Sequence, residues 1–181
     1  HRQQTEFGRI KRDEIIPALK AEGIHLYRDE SFLDFHEEWV KDYYKNQVHE
    51  SLEVVNLTET KDTPYIENKV LYLVGDVQKE GDNHVVLIKL PTGLPRFVQM
   101  PRNGDMYYFV AIDDLIRYNI SQLVEGFKVN GIYSIKLNRD ADLQIEDEYS
   151  GDLVKKIEKQ IKKRDLGTPA RFLYDGSMPQ T

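Results

Sequence analysis

Apolar residues recur with helical spacing from the start of the chain. Over residues 5–22, Phe7, Ile10, Ile15, Ala18 and Ala21 fall on one broad face at about 100° per residue. Pro17 interrupts that pattern. It lacks an amide proton and its ring clashes with the carbonyl of Asp13, which predicts a kink or break. Gly23 supplies the stop. After a short extended stretch, Ile24 to Tyr27, a second helix is predicted over 31–50, with Ser31 as N-cap and Asp34 three residues on. Phe32, Phe35, Trp39, Val40 and Tyr43 form its bulky stripe, while Glu37, Glu38, Lys41 and Asp42 face away. The stripe reads as core packing, with a ligand cage as the remote alternative.

Polar residues then dominate 53–68, where Thr, Glu, Lys and Asp surround Pro64 and predict a loop. Two β-rich runs follow, 70–77 and 84–90, read as a hairpin whose longer loop is Gln78-Lys79-Glu80-Gly81-Asp82-Asn83. A turn over 91–95 leads to a short strand over 96–100, a turn over 101–105 and a strand over 106–111. Asp113 is placed to cap a helix over 114–125, with Leu115, Ile116, Ile120, Leu123 and Val124 facing the core and Gly126 closing it. A strand over 129–137 presents Val129, Tyr133, Ile135 and Leu137 on one face. An acidic turn region over 139–148 leads into a last helix, 150–165, with Leu153, Val154, Ile157 and Ile161 inward. A final strand spans 170–174. Strands gathered in the middle with helices at intervals predict an α+β fold, a mainly antiparallel sheet with three to four flanking helices.

Composition narrows the function. The 181 residues fit one domain, or one domain plus the edge of another, and 40% hydrophobic content is enough for a sizeable core. Acidic residues outnumber basic ones, 31 to 25, for a net charge of −6, which excludes a generally basic nucleic-acid binder. Without cysteine, disulfides, thiolate nucleophiles, zinc ribbons and iron–sulfur clusters are excluded. No apolar run approaches the roughly 18 residues of a membrane span, and no signal-peptide pattern appears, so a cytoplasmic protein is expected. The chain opens on His1 rather than Met, which we read as a piece of a longer protein.

No catalytic motif survives inspection. Gly126 and Gly131 have P-loop separation, but Ile132 and Tyr133 stand where Lys and Ser or Thr are needed. His49-Glu50 and His36-Glu37 begin like zinc-protease helices, but Glu53 and Val40 replace the second histidine. Two local features remain. Arg139-Asp140-Ala141-Asp142 places two carboxylates beside a guanidinium directly after a strand. That pattern suits Mg²⁺, a contact with a neighbouring domain, or a strand-ending turn with solvated ion pairs. Lys155, Lys156, Lys159, Lys162, Lys163 and Arg164 form a basic face on the last helix. They can attract phosphate, or simply complement the helix dipole and keep the face soluble.

Ordered blocks run through the second half: Leu94-Pro95-Arg96-Phe97-Val98 with Met100-Pro101, then Tyr108 to Arg117, then Leu123, Gly126 and Tyr133. Asn138 to Leu143 follows, then Gly167 to Phe172 and Met178-Pro179. Upstream lie Glu22-Gly23-Ile24 and Trp39 to Tyr44. In these blocks the sequence resembles the histidine-autophosphorylating family of polyphosphate kinases over nearly its whole length. Residues 49–69 depart from the pattern, where a Pro- and Phe-rich segment is reduced to Thr63-Pro64-Tyr65.

The resemblance implies a four-domain enzyme, cytoplasmic or membrane-associated, that reversibly transfers the terminal phosphate of ATP to polyphosphate with Mg²⁺ and a phosphohistidine. Residues 1–25 then correspond to the end of a helical N-terminal domain, 26–176 to the head domain, and 177–181 to the start of a linker toward catalytic domains. Those domains carry the phosphate-accepting histidine, which no His-x-Lys in this sequence matches. The head is expected to support dimers or tetramers and the catalytic tunnel, with no cofactor bound here and no nucleic acid as partner. Arg96, Arg139, Asp140, Asp142, Lys155 and Lys159 are the candidate inter-domain or phosphate contacts. The alternatives are that such residues line the nucleotide or polyphosphate path directly, or that the chain is an unrelated interaction module.

Overall fold

The computed structural model describes residues 2–28, 30–61, 64–139 and 169–179. The strands are β1 (Ile24–Tyr27), β2 (Glu53–Asn56), β3 (Leu71–Lys79), β4 (Asp82–Lys89), β5 (Phe97–Asn103), β6 (Met106–Ala111), β7 (Lys128–Arg139) and β8 (Pro169–Tyr174). The helices are α1 (Arg2–Ile10), α2 (Ile16–Ala21), α3 (Asp34–Tyr43), α4 (Ile112–Tyr118) and α5 (Ile120–Leu123). Among the described residues the strands form two sheets, ordered β1-β6-β5 and β2-β4-β3-β7-β8. Every pairing is antiparallel except β1 with β6. The fold is α+β. The chain divides into two compact units, His1–Leu52 with Pro91–Glu125, and Glu53–Leu90 with Gly126–Thr181.

In the first unit, α1 passes through a π-helical turn, Lys11–Ile15, into α2. Pro17 stands inside a continuous helical run, since the π turn joins α1 to α2 and Ile15 and Ile16 are both helical, so the wider turn is what accommodates its ring and missing amide. The expected break is therefore a widened turn just before the proline. Gly23 follows with φ +78°, a conformation that favours glycine. The core face expected along this segment is corrected: Phe7 is 65% and Ile15 44% exposed. The widened turn adds a residue per turn and rotates Ile15 off the line that Phe7 and Ile10 set.

The helix expected from Ser31 starts later. Leu33 is the N-cap, in extended conformation and without a side-chain cap bond, and Ser31 is exposed. α3 continues through a π-helical turn, Tyr44–Val48, and a short 3₁₀ turn, His49–Ser51. The stripe is also corrected. His36, Val40, Tyr44 and Val48 are wholly buried, while Phe35 is 44% exposed and Trp39 and Tyr43 are half-buried. A row spaced by four residues drifts by about 40° per step on a regular helix, at 3.6 residues per turn. The π turn starting at Tyr44 underwinds the helix and returns Tyr44 and Val48 to the buried side. α3 packs on β5, and α4 packs on β6 and on this π turn.

The turn expected at 101–105 shrinks to Gly104-Asp105, because β5 runs on through Pro101 to Asn103 and pairs Asn103 with Met106. The helix expected at 114–125 starts at Ile112 and is divided at Asn119. Its cap is Ala111, not Asp113. Ile112, Leu115, Ile116, Ile120 and Val124 are buried as the periodicity requires, and Leu123 is half-buried.

In the second unit, β3 and β4 meet in a two-residue turn. Glu80 and Gly81 both have positive φ, +54° and +96°, and Lys79 pairs with Asp82. These are the φ signs of the hairpin turn that matches strand twist, so the longer loop expected there is replaced by a tight one. The predicted loop at 53–68 contains β2, whose Val54 and Val55 pair with Ile88 and Leu87. Tyr72, Val74, Leu87 and Ile135 form a buried cluster covered by Leu57, Ile66, Val70 and Met178. The last predicted helix, 150–165, lies outside the described residues.

Gly75 sits where β3 meets β4. A Cβ there would lie 2.6 Å from Val86 Cγ2 and 3.1 Å from Ile132 Cδ1. Gly75→Ala is therefore expected to destabilise the protein by about 1–3 kcal/mol, the range for overpacking a filled core. Urea unfolding checks this; an unchanged midpoint would contradict the packing.

Candidate functional site

Arg96 precedes β5 and is held by the start of α4. Its Nη1 lies 2.7 Å from Asp113 Oδ1, and its carbonyl accepts the Ile112 amide at 3.0 Å. Arg117, one turn along α4, donates from Nη1 to Asp113 Oδ2 at 3.2 Å and to Asp114 Oδ1 at 2.8 Å. The Asp113 side chain is only 10% exposed, that of Arg117 25% and that of Arg96 51%. Two carboxylates in the first turn of a helix also meet its positive end favourably. The matching blocks that contain Arg96 and Asp113 thus meet in one ion network.

Arg139, the last residue of β7, belongs to the second unit and clamps the segment before β3. Its backbone amide donates to Asn68 Oδ1 at 2.9 Å, its Nη2 donates to the Ile66 carbonyl at 3.1 Å, and its guanidinium lies 4.8 Å from the Tyr65 ring centroid. Alongside, the Lys69 amide donates to the Leu137 carbonyl at 2.8 Å with Lys69 at φ +65°. Glu67 donates its amide to Tyr72 Oη and pairs its carboxylate with Lys89 at 2.7 Å. The bond to Glu67 raises the Lys89 ammonium above its ordinary range. The end of the stretch where the sequence departs from the family pattern, Tyr65 to Lys69, is therefore held by these contacts. Asp140, Asp142, Lys155 and Lys159 lie outside the described residues.

Sequence reasoning missed His36. It is wholly buried, with Nδ1 2.8 Å from Tyr27 Oη and Nε2 2.8 Å from the Pro101 carbonyl. A carbonyl only accepts, so Nε2 carries the proton and Nδ1 accepts from Tyr27. The Tyr27 oxygen in turn accepts the Leu33 amide at 3.3 Å. Burial raises the Tyr27 hydroxyl above its ordinary range. The signal was present in the sequence, since His36 sits four residues before Val40 on the buried row.

A cleft of about 440 Å³ opens at the carboxyl ends of β1 and β6, lined by Arg28, Phe32, Glu37, Asp114, Arg117 and Tyr118. Tyr118 is raised by burial and by its hydrogen bond to Glu37. Arg117 is engaged by both aspartates, so the cleft's charges are largely matched from within.

Tyr44 is a different case. Its hydroxyl is buried without a hydrogen-bond partner, and burial pushes it up to about 12. Tyr44→Phe is expected to be neutral or to stabilise by about 1 kcal/mol, because an unpaired buried hydroxyl is removed. Wild type should also lose stability as pH rises from 10 toward 12, where the unfolded chain ionises first, and the variant should lose less. Unfolding titrations from pH 8 to pH 12 test both points.

The fold and these contacts define an α+β protein whose recurring arginines and aspartates bind one another and the backbone. A family model described as the polyphosphate kinase middle domain matches residues 36–181. A polyphosphate kinase of Bacillus anthracis is 29% identical over 174 residues, covering 93% of this chain and 25% of that protein. One from Bacillus cereus is 30% identical over 164 residues, covering 87% and 23%. The crystal structure of polyphosphate kinase from Porphyromonas gingivalis superposes with a TM-score of 0.79 at 28% identity, covering 98% of this chain and 25% of that one. The chain belongs to the polyphosphate kinase middle domain family. It spans about a quarter of the length of the relatives it matches. Among the described residues no helix is long and apolar enough to cross a membrane.

Proposed function

We propose that this chain is the head segment of a larger ATP–polyphosphate phosphotransferase. In this reading it supports the catalytic domains and their oligomer and performs no phosphoryl transfer itself. Residues 1–25 are the end of the preceding helical domain, 26–176 the head, and 177–181 the start of the linker. The whole enzyme, cytoplasmic or membrane-associated and working as a dimer or tetramer, uses ATP, Mg²⁺ and polyphosphate.

The observation that carries this is the engagement of the described candidates. Arg96 is bound to Asp113, and Arg139 to Ile66 and Tyr65. Phosphoryl transfer needs cations aimed at spreading negative charge, and these guanidinium groups are engaged by groups of this chain. Mg²⁺ does not fit Asp113 and Asp114 either. Asp113 and Asp114 both carry Arg117, and an ion would have to displace a guanidinium.

Incubation of the 181-residue chain with labelled ATP and Mg²⁺ is expected to leave ATP intact and the protein unlabelled. Label on a histidine would overturn the reading. A second reading is favoured by the half-exposed Arg96, whose outer edge faces solvent. Here Arg96, Arg139, Lys155 or Lys159 lines the nucleotide or polyphosphate path in the whole enzyme. Charge reversal in the full-length enzyme separates the two. Lost turnover with unchanged oligomer mass supports direct contact, and lost oligomer mass supports scaffolding.

A further inference from the structure

α3 has a second apolar row beside its buried one. Phe35, Trp39 and Tyr43 follow one another at four-residue spacing. Phe35 is 44% exposed, Trp39 and Tyr43 are half-buried, and the last two stack at 5.0 Å with 23° between their planes. On the far side of this row lie Asp34, Glu38 and Asp42, all exposed, again at four-residue spacing. None of the three has a cation within ion-pair distance among the described residues, whereas Glu37 on the opposite side of the helix has Lys41. The helix therefore presents an aromatic stripe bordered by an acidic stripe whose carboxylates make no ion pair among the described residues, with Lys41 and Lys45 exposed at its margin. Aromatic side chains already ordered against a neighbour lose little entropy on binding and are favoured as anchors at interfaces. A parallel row of carboxylates selects what can settle on them.

We propose that this face of α3 docks an amphipathic helical segment of a partner polypeptide, one that carries Lys or Arg beside its apolar row. The apolar row covers Phe35, Trp39 and Tyr43. The basic row meets Asp34, Glu38 and Asp42. A nucleic acid or polyphosphate chain is excluded by the sign of the charge. The inference does not depend on the proposed scaffold role, since a catalytically active chain would present the same face.

Trp39 is the chain's only tryptophan, so its fluorescence reports on this face alone. The probe is a synthetic 18-residue helix with leucine on one face and lysine on the flanking positions. A matched peptide with glutamate in place of lysine is the control. The lysine peptide is expected to shift Trp39 emission to the blue and shield it from acrylamide, saturably and less so at high salt. The glutamate peptide should bind at least tenfold more weakly. The triple variant Asp34→Asn, Glu38→Gln, Asp42→Asn should lose at least tenfold in affinity for the lysine peptide while keeping its far-ultraviolet circular dichroism. No blue shift, equal binding of both peptides, or unchanged affinity of the folded triple variant overturns the proposal. A blue shift that grows with protein concentration in the absence of peptide also overturns it, by making a second copy of the chain the occupant.

Discussion

Asp113→Ala is expected to lower the unfolding free energy by about 1.5–3 kcal/mol, the scale of losing a hydrogen bond to a buried charged group, here from Arg117, with the close ion pair to Arg96 lost beside it. The carboxylate is nine-tenths buried and holds two guanidinium groups, so its loss removes both contacts together. The full penalty for breaking a buried ion pair, about 3–5 kcal/mol, is not reached for two reasons. Arg117 keeps Asp114 at 2.8 Å, and Arg96 is half in water and can be solvated. By the same reasoning Arg96→Met should cost less than about 1 kcal/mol, since its exposed side is screened. A double-mutant cycle on Arg96 and Asp113 by urea unfolding should give a coupling of about 1 kcal/mol. A coupling near zero would mean that Arg96 does not rely on Asp113, and the internal reading of this motif residue would fail. An Asp113→Ala variant as stable as wild type would count against the network as a whole.

The periodic parts of the fold were legible because each rests on a local rule. The strands other than β2 and the α4 core residues follow from alternation and from apolar positions three and four apart. What was illegible depended on partners distant in the chain. β2 reads as a loop because Glu53 and Asn56 flank only two valines, and it becomes a strand through β4 more than 25 residues away. Phe35 reads as core because aromatic residues usually are, and only the π turn at Tyr44 reveals that His36, not Phe35, leads the buried row. Asp113 has the right residue type and position for a cap, yet Ala111 starts the helix and leaves Asp113 in the first turn facing two arginines. Arg96 and Arg139 stand out in the sequence as candidate inter-domain or phosphate contacts, and the structure places both beside groups of their own unit. Their partners, Asp113, Ile66 and Tyr65, were not foreseen, because sequence spacing says nothing about a contact made across 17 or 73 residues.

His36→Phe should cost about 2–4 kcal/mol although it keeps an aromatic ring of similar size. The ring nitrogens pair with the Tyr27 hydroxyl and the Pro101 carbonyl, both at 2.8 Å. Each buried polar group left unpaired costs about 1–3 kcal/mol. His36→Ala adds the loss of packed ring atoms and should cost more, about 3–5 kcal/mol. His36→Gln is the informative partner variant. Its amide can donate to Pro101 and accept from Tyr27, so it should recover part of what phenylalanine loses. Tyr27 belongs to β1 and Pro101 to β5, the two outer strands of the sheet β1-β6-β5, and His36 rises from α3 to bridge them across β6. Hydrogen exchange should therefore quicken along both outer strands in His36→Phe, not only beside the substitution. Nitrogen-15 shifts of His36 in the wild type should show a protonated Nε2 and a bare Nδ1. The opposite tautomer, or a phenylalanine variant with unchanged stability and exchange, would remove this bridge as the element that ties α3 to both edges of the sheet.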